Sequence, residues 1–233
     1  MRCSIIIPTL NESNDIVASL VPLQALRQCG HEIIMVDGGS TDNTVALTKP
    51  WVDQVIISEP SRARQMQTGA EQSTGDVLLF LHADTFLPDN AIALILDGLG
   101  QTNGWQWGRF DVTLSGSHWL LALTAKLMNW RSRVTGIATG DQVIFVKREC
   151  FMQVGGYRLM PLMEDVDICK RLKKISKPLC IANPVVTSSR RWEQRGIIRT
   201  ILLMWSLRLA FFMGVSPQRL VNIYYPRNKI KND

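Results

Sequence analysis

Short apolar runs that end in polar residues are the feature that most constrains the fold of this chain. Residues 3–7, 32–36 and 77–81 are each short enough for one strand that is buried on both faces. Polar residues follow each run, most clearly in GDVLLFLHADT at 75–85. In open α/β sheets, ligands bind outside the carboxyl ends of the strands, so we expect a site where these runs end.

The segments between these runs predict helices. A helix is expected over 13–28, closed by Gly30, and a shorter one over 44–49 precedes a third strand at 54–58. A further helix is expected over 61–74. Strand, helix and strand with short links form a βαβ unit, so the sheet begins parallel.

The second half of the chain predicts a less regular continuation of the same α/β domain. Expected strands are 108–112, 143–147 and a last, edge strand at 178–186, and expected helices are 89–99, 119–130 and 163–174. The prediction is therefore a Rossmann-like, mostly parallel sheet flanked by helices. We expect one domain over 1–195 and a helical extension over 196–233.

Composition restricts the class of protein. With 233 residues, 46% of them hydrophobic and 20% charged, the chain can bury one sizeable core. Five scattered cysteines without a CxxC pair indicate reduced thiols in a cytoplasmic protein, and residues 1–9 lack the features of a signal peptide. A net charge of +6 favours an anionic partner, which could be nucleic acid, nucleotide phosphate or anionic lipid.

Several polar residues near these strand ends are candidates for a phosphate or metal site. His82 and Asp84 follow the run at 77–81, where Asp84 could alternatively cap the next turn. Asp37 follows the second run and could hydrogen-bond a base or ribose. At the start of the helix expected over 61–74, the candidates for a diphosphate or base contact are Arg62, Arg64 and Gln65. Both arginines could instead be solvated surface groups.

Four motifs together resemble one family. They are PTLNE at 8–12, DGGSTD at 37–42, GDVLLFLHADT at 75–85 and MEDVDICKRL at 163–172. In this order, and with three of them at expected strand ends, they resemble the family 2 glycosyltransferases of GT-A fold. The resemblance implies a nucleotide-diphosphate sugar donor, a divalent metal ion and inversion at the anomeric carbon, and it implies no nucleic-acid partner.

The resemblance also implies roles for individual residues on the donor side. It implies that nucleotide-sugar contacts come from Pro8, Thr9, Asn11, Glu12, Asp37 and Gly39. Asp84 resembles the last carboxylate of the family's Asp-x-Asp motif, which holds the metal ion. His82 stands where that motif usually begins with Asp, so the ligands expected for Mn²⁺ or Mg²⁺ are Asp84 and His82. If His82 contacts the nucleotide instead, Asp84 is the only protein ligand.

On the acceptor side, the resemblance implies that the pair Glu164 and Asp165 supplies the catalytic base, Asp165. Helix capping explains Glu164 without any function. The candidate acceptor contacts are Asp141, Arg191 and Trp192. Processive relatives carry Gln where this chain has Ser188, and the long apolar spans of polymer-extruding synthases are missing. Transfer of a single sugar is therefore expected.

The stretch 196–214 is apolar, but Arg199 and Arg208 interrupt it, so a membrane span is disfavoured. Two interpretations remain open: a helix packed on the domain, or an interfacial helix on the inner face of the membrane. The second would indicate a peripheral enzyme with a lipid-linked or membrane-presented acceptor.

Two rival functions are kept beside the transferase. A nucleotidylyltransferase would need a Gly-rich triphosphate loop with a Lys soon after the first strand, and 8–12 offers neither. A non-catalytic, membrane-associated sugar-nucleotide binder would bind a nucleotide tightly without turnover.

Overall fold

The computed structural model describes residues 1–101 and 103–224, except for the side chain of Arg191. Within them, the strands are β1 (Cys3–Thr9), β2 (Glu32–Asp37), β3 (Gln54–Ile57), β4 (Val77–Phe80), β5 (Thr85–Phe86), β6 (Trp107–Leu114), β7 (Ile144–Lys147) and β8 (Leu179–Thr187). All eight form one sheet in the order β3-β2-β1-β4-β7-β6-β8-β5.

Helices cover both faces of this sheet. In the described residues they are α1 (Ile16–Leu20), α2 (Gln24–Gln28), α3 (Thr44–Thr48), α4 (Arg62–Gln72), α5 (Ala91–Gly100), α6 (Trp119–Thr135), α7 (Arg148–Gln153), α8 (Glu164–Leu172), α9 (Arg190–Arg195), α10 (Ile197–Phe212) and α11 (Pro217–Tyr224). Short 3₁₀ turns occur at Val21–Leu23, Lys49–Trp51 and Gly140–Gln142.

The predicted mostly parallel sheet is confirmed. Strands β3, β2, β1 and β4 are parallel neighbours, and β6 is parallel to β8, whereas β7 runs antiparallel to both β4 and β6. The carboxyl ends of β1, β2 and β4 therefore meet at one edge of the sheet. The same arrangement was expected from the three apolar runs.

Three details of the prediction were wrong. The helix expected over 13–28 is divided into α1 and α2 by the 3₁₀ turn that contains Pro22, which has no N–H for an α-helical hydrogen bond. The strand expected at the edge, β8, has the two-residue strand β5 on its outer side. Neither β5 nor α7 was predicted, because both are too short to show a periodic pattern.

The core lies on both faces of the sheet. Ile5 and Ile7 of β1 pack into one apolar cluster, whereas Ile6, between them, packs into the other. Alternate side chains of a strand point to opposite faces, so a strand that is covered on both sides needs an uninterrupted apolar run. This requirement explains the apolar runs in the sequence.

The carboxyl-terminal helices pack on the domain through one face. Leu207 of α10 and Leu220 of α11 are buried with Met163 and Val166 at the start of α8. The rest of the predicted extension, 225–233, lies outside the described residues. Within the described part of the chain, no helix combines the length and the apolar character needed to cross a membrane.

Candidate active site

A cleft of about 900 Å³ opens at the carboxyl ends of β1 and β4. Its walls include the start of α4, the loop 139–141 and the start of α8, and parts of α10 and α11 form another side. A volume of this size suits a ligand as large as a nucleotide sugar.

Most of the predicted site residues line this cleft. They are Pro8, Thr9, Glu12, Arg62, Arg64, Gln65, His82, Asp84, Asp141, Glu164, Asp165 and Trp192. Asn11, Asp37 and Gly39 are not part of its wall, and the side chain of Arg191 lies outside the described residues. The structure therefore brings together residues that are more than 150 positions apart in the sequence.

Asp37 and Asn11 hold loops rather than face the cleft. The Asp37 carboxylate accepts hydrogen bonds from the backbone N–H groups of Gly39, at 2.9 Å, and Ser40, at 2.7 Å. The Asn11 side-chain oxygen accepts from the Thr41 N–H at 2.9 Å. The loops after β1 and β2 thus use these side chains to stabilise each other, and their contact with the nucleotide sugar stays a prediction.

Gln65 has a similar structural role. Its buried amide nitrogen donates to the carbonyls of Thr9, at 2.7 Å, and Val36, at 2.8 Å, and so joins the ends of β1 and β2. Both amide hydrogens are used in this way. Gln65 also contributes to the cleft wall, and its predicted contact with the nucleotide sugar stays a prediction.

The start of α4 brings positive charge to the cleft. Ser61 caps this helix, and Arg62 and Arg64 lie in its first turn and line the cleft. Nη2 of Arg64 is 3.2 Å from Oε2 of Glu59, an exposed pair of small energetic weight. The helix N-terminus and two arginines together suit a phosphate group.

His82 is buried against the loop 139–141. Its Nδ1 lies 3.3 Å from Oδ1 of Asp141, and its Nε2 is buried with no hydrogen-bond partner among the described residues. A Cβ atom at Gly140 would come within 2.2 Å of that Nε2, so only glycine fits there. The predicted role of His82 as a metal ligand is therefore not favoured, since both ring nitrogens face this loop.

Asp84 fits a single-carboxylate metal site better. It lines the cleft, and no described residue donates a hydrogen bond to its carboxylate. No group of three or more His, Cys, Asp and Glu side chains that could hold a metal ion occurs in the described part of the chain. A site with one protein carboxylate suits Mg²⁺ or Mn²⁺ that keeps water or substrate oxygens as its other ligands.

Asp165 lies at the start of α8, beside the buried Glu164. Burial raises the pKa of Asp165 to about 7, and the charge of Glu164 adds to this effect. Backbone N–H groups of Val166, at 2.7 Å, and Gly140, at 3.1 Å, donate to its carboxylate and oppose the rise. A carboxylate with this pKa is suited to accept a proton near neutral pH.

One basic side chain acts on Asp165 from the helix α6. Arg131 of α6 interacts electrostatically with Asp165, and burial lowers the pKa of Arg131. The Nε atom of Arg131 has no hydrogen-bond partner within the described residues. One partly buried arginine is nearby, but burial and the acidic neighbours dominate the pKa of Asp165.

Three parts of the site were missed by sequence reasoning. The loop 159–163 forms an apolar wall, and α10 and α11 contribute Thr200, Met204, Arg208, Gln218, Val221 and Tyr224. The third part is Arg190 of α9, which pairs with Glu12 at 3.3 Å and with Asp15 at 2.5 Å. These pairs connect α9 to the loop after β1. Apart from Met163, which opens the fourth motif, these residues belong to no local motif and reach the site through tertiary packing.

Backbone geometry also singles out the loops of this region. Three non-glycine residues have a positive φ in the described part of the chain: Asn11 (53°), Val143 (50°) and Met163 (71°). Asn11 follows β1, Val143 follows the turn that contacts His82, and Met163 precedes Glu164. Such conformations are costly and tend to occur at functional sites.

Comparison with known proteins agrees with this geometry. Residues 4–153 match the sequence profile described as "Glycosyl transferase family 2". A "PGL/p-HBAD biosynthesis glycosyltransferase" of Mycobacterium bovis is 28% identical over 197 residues, which cover 79% of this chain and 72% of that protein.

Solved structures share the fold at lower identity. The mannosyltransferase PcManGT from Pyrobaculum calidifontis, solved with GDP-Man and Mn²⁺, is 21% identical with a TM-score of 0.58, and the match covers 80% of this chain but only 56% of that one. Glucosyl-3-phosphoglycerate synthase from Mycobacterium tuberculosis, solved with Mn²⁺, UDP-Glc and phosphoglyceric acid, is 17% identical with a TM-score of 0.59, over 78% and 70% of the two chains. The chain belongs to glycosyl transferase family 2 and is a glycosyltransferase of GT-A fold.

Proposed function

We propose that this glycosyltransferase is inverting and metal-dependent, and that it transfers one sugar from a nucleotide-diphosphate sugar to an acceptor hydroxyl. One observation carries the proposal: a single cleft holds Asp84 at a strand end, arginines at a helix start, and Asp165 with a pKa of about 7. A metal or phosphate contact and a poised base are the two requirements of an inverting transfer.

Asp165 acts as the general base. It accepts the proton of the acceptor hydroxyl while that oxygen forms a bond to the anomeric carbon, and the bond from this carbon to the diphosphate oxygen breaks. The electron pair of that bond leaves with the nucleoside diphosphate, and the proton remains on Asp165. A pKa near 7 balances the ionised fraction against basicity, which is the condition for efficient proton transfer.

Asp84 holds the divalent ion in this proposal, with His82 placed instead against Asp141. When bound, Mn²⁺ or Mg²⁺ neutralises negative charge on the diphosphate. Arg62 and Arg64 add positive charge at the start of α4 and bind the same group. Two solved relatives contain Mn²⁺ with a sugar nucleotide, which supports the choice of ion.

The remaining expectations from the sequence stay predictions. A cytoplasmic location, peripheral attachment to the inner face of the membrane and a lipid-linked acceptor are compatible with α10, whose outer face is exposed. Trp192, Asp141 and Arg191 stay candidates for acceptor contacts. A non-catalytic binder is less favoured, because it would not need a carboxylate of raised pKa in the cleft.

A thermal-shift screen of nucleoside diphosphates with and without Mn²⁺ tests the donor side of this proposal. A ligand at about one hundred times its Kd should stabilise the protein by roughly 2.7 kcal/mol. Asp84→Ala should remove the Mn²⁺-dependent part of this shift. Asp97→Ala, an exposed carboxylate change on α5, is the matched control and should leave the shift unchanged. If no diphosphate stabilises the wild type, the proposal fails.

A further inference from the structure

Two helices expose apolar stripes to solvent. On α6 the stripe consists of Trp119, Leu123, Leu127, Trp130 and Val134, and on α10 it consists of Ile198, Leu202, Trp205, Leu209 and Phe212. Successive members lie three or four residues apart, so each stripe runs along one side of its helix. With Met213, they make up half of the large apolar residues that are exposed in the described part of the chain.

The exposure is large for the aromatic members. Trp119 is 67% exposed, Trp130 is 65% exposed and Phe212 is 79% exposed. Single exposed apolar residues are common, but continuous apolar surfaces mark interaction sites. The two helices also contact each other, because Ile197 of α10 packs on the cluster that contains Leu121 and Ala125 of α6.

The charges around the stripes select the partner. Neither α6 nor α10 contains Asp or Glu. Lys126 and Arg133 lie one turn from Trp130 on α6, and the exposed Arg199 lies one turn from Leu202 on α10. Arg133 also pairs with Asp111 at 2.5 Å, yet it remains at the surface. Apolar stripes bordered by basic residues match the interface of an anionic bilayer.

The helix α10 also connects this surface to the cleft. Its inner face contributes Thr200, Met204 and Arg208 to the wall, while its outer face carries the exposed stripe. One helix therefore separates the cleft from the exposed surface. A molecule anchored in a bilayer beneath α10 would need to extend past only this helix to reach Asp165.

We propose that the exposed stripes of α6 and α10 form one docking surface for an anionic lipid bilayer. The inference extends the proposed function and rests on it in one respect: the acceptor hydroxyl is then carried by a lipid-anchored molecule. The surface lies in the bilayer interface, since neither helix is long and apolar enough to span it.

Sedimentation of the full chain with vesicles tests the proposal. One set of vesicles contains about one-third phosphatidylglycerol in phosphatidylcholine, and the other contains phosphatidylcholine alone. The wild type should pellet with the anionic vesicles and much less with the neutral ones. High salt should release only part of it, because salt screens the charges and not the apolar contacts.

Matched variants locate the surface. Trp119→Ser with Trp130→Ser on α6, and Trp205→Ser with Phe212→Ser on α10, should each weaken vesicle binding by about tenfold or more. The control, Val21→Ser with Met152→Ser, changes exposed apolar residues on other elements and should bind like the wild type. Thermal melting of each variant shows that it is folded.

Three results would overturn the proposal. The wild type fails to pellet, or the stripe variants bind as well as the control, or the wild type is a dimer by light scattering that the stripe variants dissociate. The last result would assign the surface to a second copy of the chain. Vesicle binding needs no turnover, so a protein that docks but shows no thermal shift with any nucleoside diphosphate would refute the proposed function and leave the docking surface intact.

Discussion

The two sides of the cleft differ in how the chain builds them. The side that we propose to bind the donor, called the donor side, consists of the ends of β1 and β4 and the start of α4, and the adjacent loop after β2 supports it. The side that we propose to bind the acceptor, called the acceptor side, combines the apolar loop 159–163 with α10 and α11, which come from the end of the described chain. Short motifs at strand ends form the donor side, whereas tertiary packing of distant segments forms the acceptor side.

The same difference appears in the two carboxylates. Asp84 on the donor side receives no hydrogen bond from the described residues and is available to a cation. Asp165 receives two backbone hydrogen bonds, yet burial raises its pKa to about 7. One carboxylate is thus suited to bind a cation, and the other to exchange a proton.

The largest expected effect is a loss of turnover when Asp165, on the acceptor side, is replaced. Asp165→Asn should lower kcat by about 10²- to 10⁴-fold, because the acceptor hydroxyl loses its base, while nucleotide binding changes little. Asp167→Asn is the control on the same helix, since Asp167 accepts a hydrogen bond from Arg171 at 2.9 Å and does not line the cleft. Steady-state kinetics measures both. Near-normal turnover of Asp165→Asn would leave Asp165 as a helix cap.

The pH dependence of kcat/KM should show the ionisation of Asp165. In the wild type, kcat/KM should rise about tenfold per pH unit at acidic pH and level off above about pH 7, where Asp165 is ionised. The rise should disappear in Asp165→Asn. A flat wild-type profile between about pH 5 and 8 would mean that no base with this pKa limits the reaction.

A smaller effect should appear in stability. In the folded protein the pKa of Asp165 is raised from its ordinary value of 3.8 to about 7. The protonated side chain therefore contributes to stability at acidic pH, and this contribution is lost as the pH rises from about 4 to about 7. Asp165→Asn should therefore stabilise the protein more at pH 8 than at pH 5, by on the order of 2 kcal/mol relative to wild type. Urea denaturation at the two pH values measures the difference. An equal effect at both values would contradict the raised pKa.

The smallest expected effect concerns the link between the two sides. Arg190→Ala removes the pairs with Glu12 and Asp15 and should raise KM for the donor by roughly tenfold or less, because exposed pairs contribute little individually. Arg27→Ala breaks a pair with Asp53 away from the cleft and serves as the control. If both variants behave alike, α9 does not position the loop after β1.

Much of the donor side could be predicted from sequence because its determinants are local. The apolar runs indicated the strand positions, and Asp84 was placed at the cleft from its position after one run. The structural contacts of Asp37 and Gln65 could not be predicted, because a polar side chain near a strand end can bind a ligand or hold a loop, and the sequence does not show its hydrogen-bond partners.

The acceptor side was predictable only in part. The Glu-Asp pair pointed to Asp165, but its raised pKa depends on burial that α8 and its neighbours create together. The apolar stretch 196–214 predicted a helix and left its environment open. The structure shows that one face packs on Met163 and Val166, as the first interpretation expected. The other face is exposed, and its placement in a membrane interface stays a prediction.

Calorimetric titration of nucleoside diphosphate with Mn²⁺ into two variants tests the division between donor and acceptor sides most directly, and it requires no knowledge of the acceptor. Asp84→Ala should lose at least about tenfold in Mn²⁺-dependent affinity, because it removes the carboxylate proposed to hold the ion. Asp165→Asn should bind like the wild type. Equal losses in both variants, or a loss confined to Asp165→Asn, would contradict the account.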